Sequence, residues 1–134
     1  MSIKIFKGVL ASYHMGKIFG QKELKGIERI VFLENNYLPG KSFHIAAHVI
    51  DYTYKHQRYW HYSQLHVHGH DEINILISLG STLQYRIEFD GNIKEVFSPV
   101  SIYIPAGIKH RSEPVAGTGI FICIYLDQLS STST

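Results

Sequence analysis

The chain has 134 residues, of which 45% are hydrophobic and 18% are charged, and its formal net charge is +2 at pH 7. These values are typical of one globular domain with a substantial core, and they exclude a disordered chain. The small net charge gives no support to nucleic-acid binding. No apolar run approaches the roughly 18 residues that a membrane-spanning helix needs.

The compartment is predicted from two further features. The only cysteine, Cys123, cannot form an intrachain disulfide. The first residues lack the sustained apolar stretch of a secretory signal. We therefore expect a cytoplasmic protein with neither a membrane nor a nucleic-acid partner.

The chain is expected to divide into three segments around one domain. Residues 1–40 form an N-terminal segment in which the stretch 16–30 is either a short helix or an irregular strand that packs on the sheet. Residues 41–129 form the main domain, and residues 130–134 are a small polar tail.

From residue 43 onward, apolar residues recur with a period of two and turn residues interrupt them at short intervals, which is typical of β-strands. Asp90-Gly91 lies between two alternating runs and predicts a two-residue hairpin. An all-β sandwich or barrel is therefore expected. The predicted strands are Phe43–Tyr54, Tyr59–His68, Glu72–Leu79, Leu83–Phe89, Ile93–Phe97, Val100–Ile104 and Ile120–Leu126.

Four residues in two segments are candidates for a metal site. His66 and His68 are two apart, so on a strand both imidazoles point to one face. A turn at Gly69 would let the Glu72 carboxylate return to the same centre, and His110 follows a second tight turn. Imidazole and carboxylate ligands suit several divalent transition metals. The alternative is a pair of histidines on a solvated surface.

The spacing of these residues resembles the two motifs of the cupins. The first is His66-x-His68-x3-Glu72 followed by Gly80, and the second, about thirty residues later, is Pro105-x-Gly107-x2-His110. The resemblance covers roughly residues 64–126.

This resemblance implies a double-stranded β-helix (jelly-roll) barrel in a single domain. It also implies that one divalent metal ion is held by His66, His68, Glu72 and His110. Fe(II) is the first choice, and Mn, Ni, Co, Cu and Zn are the alternatives. His70 is a substitute for Glu72 as the fourth ligand, or an acid or base beside the metal.

Other residues are predicted to act on a substrate. If His66 and His68 face inward, Tyr62 and Gln64 share their face. Arg58 lies in an aromatic and basic run that either grips an anionic group or is a solvated surface connection. The predicted catalytic residues are His70, Tyr62 and Arg58. The predicted substrate-binding residues are Gln64, Arg58, Tyr103 and Arg86. Tyr103 and Arg86 are included because they alternate with apolar neighbours and could point into the barrel.

The strand that begins at Glu72 carries a second apolar face. Ile73, Ile75, Ile77 and Leu79 would all point away from the metal. Because such a surface needs a cover, either the N-terminal segment or a second subunit packs there, and we expect a homodimer.

The function predicted from these features is that of a metal-dependent enzyme acting on a small oxygen-rich metabolite, with a dioxygenase-type reaction preferred. A metal-dependent isomerase or lyase is the alternative within enzymes. A non-catalytic cupin that binds a small molecule as a sensor is the alternative outside them, because one fold hosts many functions.

Overall fold

The computed structural model describes residues 3–11, 27–34, 37–40, 42–52 and 65–126. All regular structure in these ranges is β-strand, and no described helix could span a membrane. The strands are β1 (Val9–Ala11), β2 (Ile27–Leu33), β3 (His44–Tyr52), β4 (Glu72–Ser78), β5 (Gln84–Phe89), β6 (Asn92–Phe97), β7 (Val100–Ile104) and β8 (His110–Tyr125).

The sheet is antiparallel and is organised around β8. Its main path has the order β1-β2-β3-β8-β4-β7, and β5 joins β8 on one side and β6 on the other. The first part of the sixteen-residue β8 pairs with β5, and the part from Gly117 onward pairs with β3 and β4. Gly117 has a φ of 92°, and a Cβ there would collide with the carbonyl of Thr82. Only glycine suits this point, where β8 changes partners.

The alternation of β4 determines which side chains face the interior. Glu72, Asn74 and Leu76 are 5%, 0% and 0% exposed, whereas Ile77 is 41% exposed. The predicted orientation of this strand is therefore confirmed for both faces. The core beside it is formed by Ile50, Leu76, Leu83, Tyr85, Phe121 and Cys123.

The inner face of the sheet brings residues from several strands into rows. In one row, His44 on β3 is paired with Tyr125 on β8, which is paired with Glu72 on β4. In another row, Arg29 on β2 is paired with His48 on β3. Cross-strand partners lie on the same face. Arg29, His44, His48 and Glu72 therefore lie on one side of the sheet.

The hairpin predicted at Asp90-Gly91 is confirmed. Phe89 is paired with Asn92, and the two residues between them have φ values of 48° and 74°. Positive φ at both central positions is the geometry that suits the twist of a two-residue hairpin.

Two parts of the sheet differ from the predicted strands. The segment Ile27–Leu33 is a strand paired with β3, where the sequence left a short helix as an alternative for part of it. The last strand begins at His110, ten residues before its predicted start at Ile120. Most of the predicted strand Tyr59–His68 lies outside the described residues. Only residues 65–68 of it are described.

Candidate metal centre

The two segments that carry the candidate ligands are joined directly through the backbone. The amide of His66 donates to the carbonyl of His110 at 2.9 Å, and the amide of His110 donates back to the carbonyl of His66 at 2.9 Å. The pair holds the two imidazole rings with their centroids 4.5 Å apart. These two candidate ligands are therefore positioned by the same pair of hydrogen bonds.

The turn before His110 is also fixed to the loop that leads into β4. The amide of Gly107 donates to the carbonyl of His68 at 3.0 Å. Asp71 accepts hydrogen bonds at 2.8 Å from the amide of Ala106 and from the hydroxyl of Tyr103. These hydrogen bonds lower the pKa of Asp71, which favours the carboxylate form. The Asp71 side chain thus braces the loop that carries Glu72.

The side chains of His66, His68, Glu72 and His110 converge on one point. One potential ligand atom from each lies within 4.8 Å of every other. The Oε1 atom of Glu72 is 3.4 Å from Nε2 of His68 and 3.1 Å from Nε2 of His110. This spacing allows all four groups to reach one ion with a modest adjustment of their side chains.

The hydrogen bonds of His110 indicate which nitrogen faces the cluster. Its Nδ1 donates to the carbonyl of Ile108 at 2.8 Å, because a carbonyl can only accept. Nε2 is then the atom that faces Glu72. Burial lowers the pKa of His110, but the hydrogen bonds with Glu72 and Ile108 outweigh burial and raise it overall. Without a metal, a proton on Nε2 would serve the Glu72 contact; a divalent cation at the same position would replace that proton.

His68 supplies the strongest sign that a metal fits here. Its Nε2 is buried and has no hydrogen-bond partner in the part of the chain that the structure describes. Burial, with a further contribution from His66, lowers the pKa of His68 to about 4, so the ring is neutral at pH 7. A buried imidazole nitrogen with a free lone pair is a ready metal ligand, and leaving it unpartnered costs free energy.

The Glu72 carboxylate is held by its other oxygen. Asn74 Nδ2 donates to Oε2 at 2.7 Å, and the Cys123 thiol lies 3.5 Å from the same oxygen. Burial raises the pKa of Glu72, but the hydrogen bonds from His110 and Asn74 outweigh that effect and lower it overall. Burial raises the pKa of Cys123, so its thiol is neutral when no metal is bound, and Cys123 is not among the four residues that converge.

A cavity of about 190 Å³ opens beside the cluster. Its walls combine ionisable groups with two aromatic rings, which is a usual composition of a small-molecule site. The lining residues are Arg29, His44, His48, His66, Glu72, His110, Ser112, Phe121, Cys123 and Tyr125.

The structure places some of the predicted substrate residues and not others. Arg58, Tyr62 and Gln64 lie outside the described residues. Tyr103 is 59% exposed, and its hydroxyl donates a hydrogen bond to Asp71. It therefore does not line the cavity, although its alternation with apolar neighbours had suggested that it could point into the barrel.

Arg86 also lies away from the cavity. It is on the face of β5 opposite to Tyr85 and Ile87, and its guanidinium donates to Glu113 at 2.8 Å. The apolar residues of this strand, and not the arginine between them, point into the interior. A substrate-binding role for Arg86 or Tyr103 stays a prediction.

His70 lies beside the cluster but outside the group of four. Its ring is stacked on that of His68, with centroids 5.2 Å apart and planes 11° apart. Glu72, which the sequence left interchangeable with His70, is the residue whose ligand atom joins the three histidines.

Several residues of the site were not predicted from the sequence. Asn74 has the inward parity of Glu72, and that alternation was a usable signal for its contact. His44 and His48 are four residues apart on a predicted strand and therefore share a face. Arg29 lies in the N-terminal segment, where the pattern did not decide between helix and strand.

Comparison with known proteins gives matches among solved structures only. No protein-family model and no curated protein matches the sequence. An RmlC-like cupin from Shewanella frigidimarina is 16% identical and has a TM-score of 0.52, over 82% of this chain and 84% of that one. The chain has the cupin fold.

Two further structures with the cupin fold are proteins with different names and different chain lengths. HppE, solved with iron(II), is 9% identical and has a TM-score of 0.61; the match covers 92% of this chain and 60% of the HppE chain. A variant of oxalate decarboxylase from Bacillus subtilis is 15% identical with a TM-score of 0.52, over 82% of this chain and 28% of its own. At such identities the likeness concerns the fold, and the reaction of this cupin-fold chain has to be argued from its site.

Proposed function

We propose that this protein is a metal-dependent cupin enzyme that acts on a small oxygen-rich metabolite, with a dioxygenase-type reaction at a mononuclear centre. The observation that carries the proposal is the convergence of three imidazoles and one carboxylate within 4.8 Å, at the wall of a cavity. A purely structural role for this cluster would leave the buried Nε2 of His68 without a hydrogen bond among the described residues, although Glu72 Oε1 lies 3.4 Å away, and this is unfavourable.

His66, His68, Glu72 and His110 are proposed to hold one divalent ion. Fe(II) is the ion we propose, with Mn, Ni, Co, Cu or Zn as alternatives, because imidazole and carboxylate ligands suit all of these metals. Bound there, such an ion would supply Lewis acidity and, in the case of iron, redox chemistry with dioxygen.

The residues around the proposed ion tune it in distinct ways. Asn74 keeps Glu72 ionised and fixes the orientation of its carboxylate. The carbonyl of Ile108 fixes the tautomer of His110. Such outer contacts commonly change metal affinity or activity by about 10–100-fold when they are removed.

Four residues are proposed to act on the substrate. His70, whose ring is stacked on that of His68, is proposed as an acid or base beside the metal. Arg58, Tyr62 and Gln64 are proposed, from the sequence alone, to orient the substrate.

The test is anaerobic purification followed by iron loading and measurement of oxygen uptake with 1,3-diketones, catechols and 2-oxo acids. We expect stoichiometric oxygen consumption with one of these classes, and its loss in His110→Ala. An iron-loaded protein that consumes no oxygen with any class contradicts the dioxygenase. Turnover of a substrate without oxygen by the manganese, nickel or zinc form would instead identify an isomerase or lyase.

A sensor function is separated from both enzyme classes by the same preparation. A sensor would bind one of the small molecules at a stoichiometry of one and release it unchanged. Recovery of the unaltered compound after prolonged incubation with each metal form would therefore contradict catalysis.

The proposed assembly is a homodimer through the outer face of β4 and β8. Ile73 and Ile75 on β4 are paired with Ile124 and Ile122 on β8, and these side chains are only partly buried. Ile77, at the end of the same row, is 41% exposed. A second copy would remove this apolar surface from water.

A further inference from the structure

The wall of the cavity that belongs to β2 and β3 carries a cation. Arg29 on β2 is the cross-strand partner of His48 on β3, so the two side chains share the inner face. His44 lies on the same face of β3, and Nη2 of Arg29 is 3.4 Å from its Nε2. All three residues line the same cavity as Glu72 and His110. We refer to Arg29, His44 and His48 as the basic wall.

Arg29 on this wall forms no ion pair with a carboxylate among the described residues. Arg86 and Arg111, in contrast, are paired at 2.8 Å with Glu113 and Glu88. Arg29 is nevertheless partly buried. A partly buried guanidinium without a carboxylate partner favours the binding of an anion.

The two histidines beside Arg29 are neutral and can serve as hydrogen-bonding groups. Burial, followed by the nearby charge of Arg29, lowers the pKa of both His44 and His48, the latter to about 3. The wall therefore has a single positive charge at neutral pH. It matches a carboxylate better than a phosphate, which carries close to two negative charges.

The cavity has room for a small anion. A dry cavity of about 150 Å³ can hold a benzene-sized molecule, and this cavity has a volume of about 190 Å³. The rings of Phe121 and Tyr125 occupy its sides, and Tyr125 is stacked on His44 with centroids 4.7 Å apart. There is space for a short carbon skeleton.

We propose that Arg29, assisted by His44, is an anion-binding subsite for the substrate, and that this substrate is a small carboxylic acid with a second oxygen function. The carboxylate would bind to the guanidinium on the basic wall, and the second oxygen would point toward His66, Glu72 and His110, which line the same cavity. This inference rests on the proposed function, because it assigns the substrate class of the same site.

The test uses the zinc-loaded protein, since zinc has no redox chemistry, and isothermal titration with pyruvate, malonate and acetoacetate. At least one acid should bind, and Arg29→Gln should weaken that binding by about 10–100-fold, the range expected for a lost hydrogen bond to a charged group. Arg29→Lys keeps the charge and should lose less. Lys94→Gln removes the same charge from exposed β6 and should leave binding unchanged.

Two ligand controls separate the carboxylate from other sources of affinity. Methyl pyruvate has the skeleton of pyruvate without its charge and should bind at least tenfold more weakly to the native protein. Phosphate should bind more weakly than the best acid. The inference is overturned if phosphate binds more tightly, if no acid binds, or if Arg29→Gln binds the acids as tightly as the native protein.

The zinc content of every variant distinguishes this inference from the function on which it rests. If the Arg29→Gln variant keeps one zinc ion per chain but no longer binds the acid, the subsite is confirmed. A native protein that binds no zinc contradicts the proposed function instead. In that case titration of the metal-free native protein and of Arg29→Gln still decides whether Arg29 binds carboxylates.

Discussion

Replacing Asn74 with leucine removes one hydrogen bond from the Glu72 carboxylate while keeping the volume of a completely buried side chain. Asn74 Nδ2 donates to Oε2 of Glu72 at 2.7 Å and is one reason why the pKa of Glu72 is lowered. In Asn74→Leu, that pKa should rise and the carboxylate should be less firmly oriented. Both changes weaken a metal site that needs the ionised form.

The magnitude follows from the nature of the bond. A hydrogen bond to a charged group contributes about 1.5–3 kcal/mol, which corresponds to roughly 10–150-fold in affinity. Outer contacts of metal ligands cost a similar factor of about 10–100 when they are lost. We therefore expect the dissociation constant for zinc to rise by one to two orders of magnitude.

The assay is competition for zinc with a chromophoric chelator between pH 6 and pH 8. The loss of affinity should be larger at the acidic end, because a carboxylate with a higher pKa is more often protonated there. Asn92→Leu, the same substitution on exposed β6, is the control and should bind zinc normally. The reasoning is refuted if Asn74→Leu is folded and binds zinc as tightly as the native protein.

Three further predictions concern the hydrogen bonds of Asp71, the buried imidazole of His48 and the outer face of β4. Asp71→Asn should weaken zinc binding more than Tyr103→Phe, because Asp71 accepts a hydrogen bond from the backbone of the turn before His110 as well as the one from Tyr103. Equal zinc affinities of the two variants in chelator competition would contradict this role of Asp71. His48 has a folded pKa of about 3, below its ordinary value of 6.5, so its stabilising contribution is present above pH 6.5 and is lost as the pH falls toward 3. Between pH 7 and pH 5, the free energy of unfolding of the metal-free protein in urea should therefore fall by about 2 kcal/mol more than that of His48→Gln, at roughly 1.4 kcal/mol per pH unit below 6.5; parallel pH profiles would be the opposite result. Ile75→Lys should sediment as a monomer where the native chain sediments as a dimer, and a native monomer at all concentrations would exclude the proposed interface.

The sequence predicted those parts of the fold in which a local pattern determines the structure. The alternation after Glu72 and the Asp90-Gly91 pair each act over a few residues, so neither needs tertiary information. The resemblance of the two histidine motifs to those of the cupins likewise implied that three imidazoles and Glu72 share one site, and the structure brings these four residues together.

The parts that were missed depend on contacts between distant segments. The first half of β8 carries Pro114 and Gly117, which argue against a strand locally, but pairing with β5 and the turn at Gly117 make it continuous. Arg29 acquires its place in the cavity only because β2 pairs with β3. No local period shows that pairing, so the position of Arg29 beside His44 and His48 could not be predicted from the sequence.

The central claim is that His66, His68, Glu72 and His110 form one metal site, and metal stoichiometry tests it most directly. The protein is purified anaerobically without a metal-affinity tag, and the metal content per chain is measured by elemental analysis after incubation with one equivalent of Fe(II) and removal of the excess. We predict one metal ion per chain in the native protein and in His70→Ala, and a large loss in His66→Ala and His110→Ala. A native protein that retains no metal, or a folded His110→Ala variant that retains a full equivalent, would contradict the account.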